Sequence, residues 1–390
     1  MTLTPIATDN PVALGEALLR RGLSSDRADA ASVGLTAITF ILDDVNADVK
    51  DVLSVAAHNQ GVELLTGDDW VLLSGTVAKL GGLIRPGFSS LPEAIANEIG
   101  EFLREQIEPA RVWHTARGII QLDRPLIVGI LNVTPDSFSD GGLFVDPDVA
   151  LRHAEKMIQE GAAMIDIGAE STRPGASGAV DEEEEWNRLR PVLDGFVRRF
   201  ADVAVSVDTV KGATARRALD AGAWVVNDVS GLRLDPTIGE HCASAGAGLV
   251  LMHSRGDVAD MANYDHAIYE DVTAEVIGEL RESVRRAFGM GVSREQIVID
   301  PGLGFSKRPE QNYEILGRLQ ALTGLGYPLM VGPSRKRFLE SVTGHKVSEC
   351  DADTAAVCVV AAIKGANLFR VHAVRQVAAA LRICEAIVTA

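Results

Sequence analysis

Basic residues, paired cysteines, aromatic side chains and long apolar runs are all scarce in this sequence. Lysine and arginine total 37 against 54 aspartates and glutamates, a formal charge of −17. A chain of that sign is a poor general binder of nucleic acid or of an anionic bilayer, both of which select for basic patches. A small anionic ligand stays within reach, because a few local arginines suffice. The four cysteines, Cys242, Cys350, Cys358 and Cys384, form no CxxC pair. They read as reduced, mostly buried thiols of a cytoplasmic protein. Aromatic residues make up 5%. The longest apolar run near the end, residues 355–363, is far too short to cross a membrane. The opening MTLTPIATDN has neither a basic nor an apolar signal region, so no signal peptide is expected.

What remains is a chain of 390 residues, 47% hydrophobic and 23% charged, able to bury a sizeable core. That length suits two domains, or one large α/β barrel with an extension. Residues 1–110 read as a small α/β domain. Helical spacing runs over 11–21, 47–59, 74–83 and 91–106, and strands over 37–42, 62–65 and 70–73. No side-chain cluster there suggests chemistry, and His58 reads as a surface residue. Residues 111–125 read as a hairpin linker turning at Gly118. From residue 126 strands and helices alternate. The strands fall at 126–131, 164–168, 203–207, 224–227, 248–252, 297–299, 329–332 and 368–371. Helices fall at 147–160, 183–199, 211–221, 269–290, 309–322, 353–364 and 374–387. Eight strands imply a (β/α)8 TIM barrel over 111–390. An open doubly wound sheet fits less well, since no GxGxxG follows the first strand.

A barrel places its chemistry at the C-terminal strand ends. Asn132, Asp166, Asp208, Asn227 with Asp228, His253, Asp300, Ser334, and Arg370 with His372 stand at or just past those ends. After the first strand, residues 132–142 (NVTPDSFSDGG) form a turn-rich loop whose one large apolar residue, Phe138, suits a lid over a ligand. The stretches 171–175 (STRPG), 334–336 (SRK) and 370–372 (RVH) bring hydroxyl and cationic groups. Period-two alternation puts Arg370 and His372 on one face, an anion site suited to phosphate, although an isolated Arg-x-His is more often a surface pair. Asp208, Asn227 and Asp300 form an acid–amide set matching the amino–imino edge of a flat heterocycle, with Lys336 available to a ring carbonyl or nitrogen. Those carboxylates could equally pair with nearby arginines. No His/Asp/Glu spacing resembles a dedicated metal cage, so any Mg²⁺ is expected to be held mainly by ligand phosphates, with Asn132 assisting. The acid run 181–185 reads as a solvated helix N-terminus.

In this order, NVTPDSFSDGG, STRPG, VNDVSG (226–231), LMHSRG (251–256), DPGLGF (300–305), SRK and RVH resemble the dihydropteroate synthase family of the folate pathway. The resemblance covers residue 126 to the C-terminus. Residues 1–110 resemble, more weakly, the N-terminal extension of longer bacterial members. It implies condensation of 6-hydroxymethyl-7,8-dihydropterin diphosphate with p-aminobenzoate, giving 7,8-dihydropteroate and pyrophosphate, with Mg²⁺ and a homodimer packed through late barrel helices. By resemblance, Asp208, Asn227, Met252, Asp300, Phe305, Gly332 and Lys336 hold the pterin. Phe138, Thr172, Arg173, Pro174 and Ser334 form the p-aminobenzoate pocket. Asn132, Thr172, Arg370 and His372 meet the pyrophosphate, and Asn132, Lys336, Arg370 and His372 serve the chemistry. The family often carries Asp after RVH; Ala373 stands there, which predicts a looser His372. A methyltetrahydrofolate–corrinoid methyltransferase is the alternative on the same barrel, without need of Arg370, His372 or STRPG. A non-enzymatic pterin-binding protein is a third reading.

Overall fold

The computed structural model describes residues 37–42, 45–85, 91–107, 112–134, 146–170 and 180–388, with a few isolated positions before residue 37. The helix expected over 11–21 lies outside the described residues. Contacts divide the chain into two compact units, Met1–Pro109 and Ala110–Val388.

In the first unit, β1 (Ala37–Leu42) is followed by α1 (Ala47–Gln60), β2 (Glu63–Thr66), β3 (Val71–Thr76), α2 (Val77–Leu83) and α3 (Glu93–Ile107). The sheet is antiparallel, with β3 in the centre. The Asn46 side chain accepts from Val49 N to start α1, and Gly61 at φ +63° ends it. Leu53, Leu73, Leu80 and Leu83 are fully buried between sheet and helices. The helix expected over 74–83 begins only at Val77, its first three residues belonging to β3. Residues 74–76 pair with Thr39, Ile38 and Ala37 of β1, and only then does the Thr76 hydroxyl cap α2 through Lys79 N. Pairing with a second strand overrides the weak helical spacing.

The second unit opens with the hairpin β4 (Val112–Thr115) and β5 (Gly118–Gln121). The repeat then runs β6 (Leu126–Asn132), α4 (Pro147–Glu160), β7 (Met164–Gly168), α5 (Glu182–Arg199), β8 (Ala204–Asp208), α6 (Gly212–Ala221), β9 (Val225–Asp228) and α7 (Thr237–Ala245). It continues β10 (Gly248–Met252), α8 (Val272–Gly289), β11 (Ile297–Asp300), α9 (Pro309–Gly317), α10 (Gln320–Thr323) and β12 (Met330–Val331). The last elements are α11 (Arg337–Thr343), α12 (Asp351–Ile363), β13 (Leu368–Val371) and α13 (Val374–Val388). The eight strands β6–β13 form one sheet, parallel throughout, and a bridge between Ile299 and Leu329 brings β11 to β12. This is the TIM barrel the alternation implies.

Alternate residues of each strand face outward. Ile165, Val207, Leu249, Ile299 and Phe369 join the layer beneath the helices. The inward set Val128, Met164, Ala204, Val225, Val250, Val298, Met330 and Leu368 gives one residue per strand and packs around Trp113 of the hairpin. Trp113 is fully buried, and its indole N–H donates to Gln296 O at 2.7 Å. The segment read as a linker is therefore the stopper of the barrel's N-terminal end.

Candidate active site

One pleat further along the strands, the inward residues change character. Asp166, Ser206, Asn227, Asp300 and Arg370 replace the aliphatic ring around Trp113, each two residues beyond its strand's apolar member. Asp166 is the hub. It is wholly buried and accepts from Arg370 Nε at 2.6 Å, from Asn227 Nδ2 at 3.1 Å and from the Ser206 hydroxyl. Arg370 Nη2 reaches Asp208 Oδ2 at 2.6 Å. Arg370 and Asp208 keep 17% and 21% of their side-chain surface, so this pair stands at the open edge of the network. Burial works against the Arg370 charge, but Asp166 and Asp208 outweigh it and raise its pKa. Burial and the nearby Asp166 push Asp208 up, while Arg370 pulls it down; the net direction is up. Asn227 spends its amide N–H on Asp166, and its Oδ1 is buried with no donor among the described residues. An unsatisfied buried acceptor costs about 1–3 kcal/mol, a cost that a ligand N–H would relieve.

Beside this floor lies an apolar cluster of Val210, Val229, Met252, Met261 and Phe305. The Lys336 ammonium sits 3.8 Å from the centre of the Phe305 ring, a cation–π contact. Gly332 adjoins Arg370, and a Cβ added there would make only ordinary contact. Asp300 ends β11, and its carboxylate accepts from Gly302 N at 2.7 Å. Burial pushes its pKa up to about 6, against the Gly302 N–H and the charges of Arg370, Lys336 and Lys307. Gly302 has φ +67°, and any Cβ would overlap the His253 carbonyl, so only glycine passes this corner.

The sequence-derived pterin set Asp208, Asn227, Met252, Asp300, Phe305, Gly332 and Lys336 thus falls on the C-terminal ends of β8–β12 and the loops that follow. Arg370 joins the acid floor, a largely buried guanidinium paired with two carboxylates. His372 stands apart from that network: its Nδ1 lies 3.0 Å from the Ser334 hydroxyl, which also accepts from His372 N at 3.1 Å. Ser334 thus holds the imidazole that Ala373 follows. Asn132 ends β6, paired with Gly168. Phe138, Thr172, Arg173 and Pro174 lie outside the described residues. Asp228 is a turn organiser, accepting from Ser230 N and Leu232 N. The sequence reading placed Asp166 among the strand-end residues without assigning it a ligand. Its signal was a carboxylate inside β7, a strand buried along its whole length. Lys307 was also missed, fully buried just past the Asp300–Phe305 stretch.

The barrel thus carries an acid–amide–guanidinium floor at its C-terminal mouth. A model of the pterin binding enzyme family matches residues 128–372, and the chain belongs to that family. Several of its relatives carry the name dihydropteroate synthase. The Bacillus subtilis protein of that name is 39% identical over 281 residues, 72% of this chain and 95% of its own. The solved Xanthomonas albilineans dihydropteroate synthase with 4-aminobenzoic acid is 40% identical, with a TM-score of 0.65 over 71% of this chain and 98% of that one. The Yersinia pestis dihydropteroate synthase in a sulfonamide complex is 39% identical, with a TM-score of 0.66 over 71% and 100%.

Proposed function

We propose that this chain is a transferase of folate biosynthesis, a dihydropteroate synthase. It would join p-aminobenzoate to 6-hydroxymethyl-7,8-dihydropterin diphosphate, giving 7,8-dihydropteroate and pyrophosphate. The observation that carries this reading is the buried Asn227 Oδ1 without a donor, flanked by Asp208 and within the network of Asp166 and Arg370. A pterin's amino–imino edge offers the N–H donors that such acceptors lack. Met252 and Phe305 supply apolar surface for the ring, and Lys336 a donor at its side.

The chemistry needs little base catalysis, since an aniline nitrogen is neutral and nucleophilic near pH 7. Its lone pair attacks the pterin methylene carbon. The C–O bond breaks with its electrons leaving on the diphosphate, and the surplus amine proton goes to solvent. Departure of that anion is the hard step. Arg370 commits Nε to Asp166 and Nη2 to Asp208, which leaves Nη1 for the diphosphate. His372, held by Ser334, stands two residues further along the same strand. Phe138, Thr172, Arg173, Pro174 and Ser334 are the p-aminobenzoate residues of this proposal. Among the described residues no three His, Cys, Asp or Glu side chains converge on a metal position. Asn132, at the end of β6, would give one oxygen to a Mg²⁺ that takes most of its ligands from the diphosphate, where the ion would offset charge on the leaving group.

A homodimer and a cytoplasmic location complete the reading. Exposed Val360 and Ile363 of α12 and Ile383 and Ile387 of the neighbouring α13 offer an apolar face for a second copy. No described helix is long and apolar enough to cross a membrane. The deciding experiment incubates the purified protein with Mg²⁺, the pterin diphosphate and p-aminobenzoate and quantifies pyrophosphate and dihydropteroate. Both products should appear in equal amounts, with a sulfonamide competing against p-aminobenzoate. Binding of pterin without turnover would overturn the assignment.

A further inference from the structure

Lys307 is a lysine buried to 1% exposure, beneath the candidate pterin site rather than in it. Its ammonium meets three acceptors: His253 Nδ1 at 2.9 Å, Phe305 O at 3.0 Å and Gly302 O at 3.1 Å. An ammonium has three N–H donors, so each finds a partner. A neutral amine would have one donor fewer and would turn a lone pair toward an acceptor. With Nδ1 accepting, the His253 proton sits on Nε2, which faces Glu279 Oε2 at 3.0 Å. Arg255 holds the same carboxylate from outside, through Nε at 3.0 Å. A line of hydrogen bonds thus runs from Arg255 and Glu279 through His253 to Lys307.

The two carbonyls that Lys307 holds bracket the corner carrying the site residues. Gly302 donates to Asp300, and Phe305 presents its ring to the mouth under Lys336. The rest of the corner is tied as well, with Gly304 N on Asn312 Oδ1 and Ser306 N on Met261 O. Among these ties, Lys307 supplies the one cationic donor. Burial pushes the Lys307 pKa down to about 7; Asp300 and Glu279 favour its charged form, Arg255 and Lys336 oppose it, and the three acceptors at hydrogen-bond distance suit the ammonium. Those facing Asp300 are Arg370, Lys336 and Lys307.

Building on the pterin reading above, we propose that Lys307 is a positioning residue for the pterin. Its ammonium clamps the Gly302 and Phe305 carbonyls to His253, fixing Asp300 and Phe305 against the ring, and helps to keep the Asp300 carboxylate ionised. Removing it relaxes the Gly302 N–H contact and deletes one positive charge. Both changes favour the protonated acid.

The test compares the full chain with Lys307→Met, checked for folding by circular dichroism, in steady-state assays from pH 5.5 to 8.5. KM for the pterin diphosphate is expected to rise on the order of tenfold. KM for p-aminobenzoate at saturating pterin stays within about twofold. The acid limb of kcat/KM for the pterin moves up by about one pH unit. A folded variant whose pterin KM and acid limb match the wild type overturns the proposal, as does an equal loss toward both substrates. If the variant does not fold, ¹⁵N-lysine NMR of the wild type decides. An exchange-protected ammonium signal that shifts on adding 6-hydroxymethylpterin supports the role; a neutral amine signal, or one unmoved by pterin, overturns it. A wild type without turnover would refute the synthase reading instead, leaving the NMR titration to judge Lys307.

Discussion

The two ends of the barrel are built from the same eight strands and do opposite work. At the N-terminal end, eight inward aliphatic residues close on Trp113 and leave one polar atom, the indole N–H, which is satisfied at Gln296. One pleat higher, Asp166, Asn227 and Arg370 exchange hydrogen bonds while Asn227 Oδ1 has no donor among the described residues. The lower layer spends burial on stability. The upper layer gives some of it up, holding a carboxylate, Asp300, well above its ordinary range. Two residues of strand, roughly 7 Å, separate the two environments.

The largest effect is expected at the lower end. Trp113→Ala opens a cavity where eight strands converge and should cost about 3–5 kcal/mol in denaturant unfolding. The folded fraction should keep near-normal kcat. Lost kcat in fully folded protein would mean the two ends are not independent. The counterpart at the upper end is Asp208→Asn. It replaces an acceptor of Arg370 and of the proposed pterin edge with an amide, and should weaken pterin binding by about 2–4 kcal/mol while the fold persists. Unchanged calorimetric affinity would remove Asp208 from the site.

A smaller effect follows from Asp300. Its folded pKa of about 6 lies above the ordinary 3.8. The folded protein therefore binds this proton more tightly than the unfolded chain. This carboxylate detracts from stability above about pH 6, and the loss fades as pH falls toward 3.8. Ligand affinity has the opposite sign, because the pterin edge needs the ionised form. Between pH 7.5 and 5.5 pterin affinity should fall about fourfold, and Asp300→Asn should flatten that limb. A profile unaltered by the substitution would assign the limb to another group. The smallest effect concerns the other unit. A protein beginning at Val112 keeps the hairpin and Trp113, and should turn over at close to the full-chain rate. A folded truncation that is inactive would give residues 1–110 a part in the site or in assembly.

The barrel strands were legible because each is a short, almost wholly apolar run, and the set of polar strand ends followed from them. The misses have local causes. Helix α7 starts at Pro236 with no side-chain cap and is made of small residues, so no periodic stripe marks it. Helix α11 is only seven residues long and follows directly on the basic stretch SRK, which reads as a loop. The helix expected over 309–322 breaks between α9 and α10, and that expected from 269 begins only after Asp271, whose side chain accepts from Ala274 N. Candidate residues could be listed from the sequence, but their pairing could not. That Arg370 would turn to Asp166 and Asp208 depends on strands brought together across the barrel, 204 and 162 residues apart in the chain. Lys307 was invisible for the same reason, since a lone lysine after a glycine-rich turn reads as solvent-exposed.

Strand β12 has only two residues in the ladder, and it meets β11 through the single Ile299–Leu329 bridge, where Ile299 N donates to Pro328 O at 3.0 Å. Every other neighbouring pair in the ring shares at least two residues of register. The ring therefore has a seam. In deuterated solvent, the Ile299 amide is expected to exchange ahead of amides at comparable depth in β7 and β8, by local opening rather than global unfolding. The seam also marks the natural cut for a circular permutant. Asp300 stands on one lip and Ser334 and Lys336 lie just past the other, so new termini there would leave the thinnest ladder contact without its covalent connection and test whether the mouth needs a closed ring.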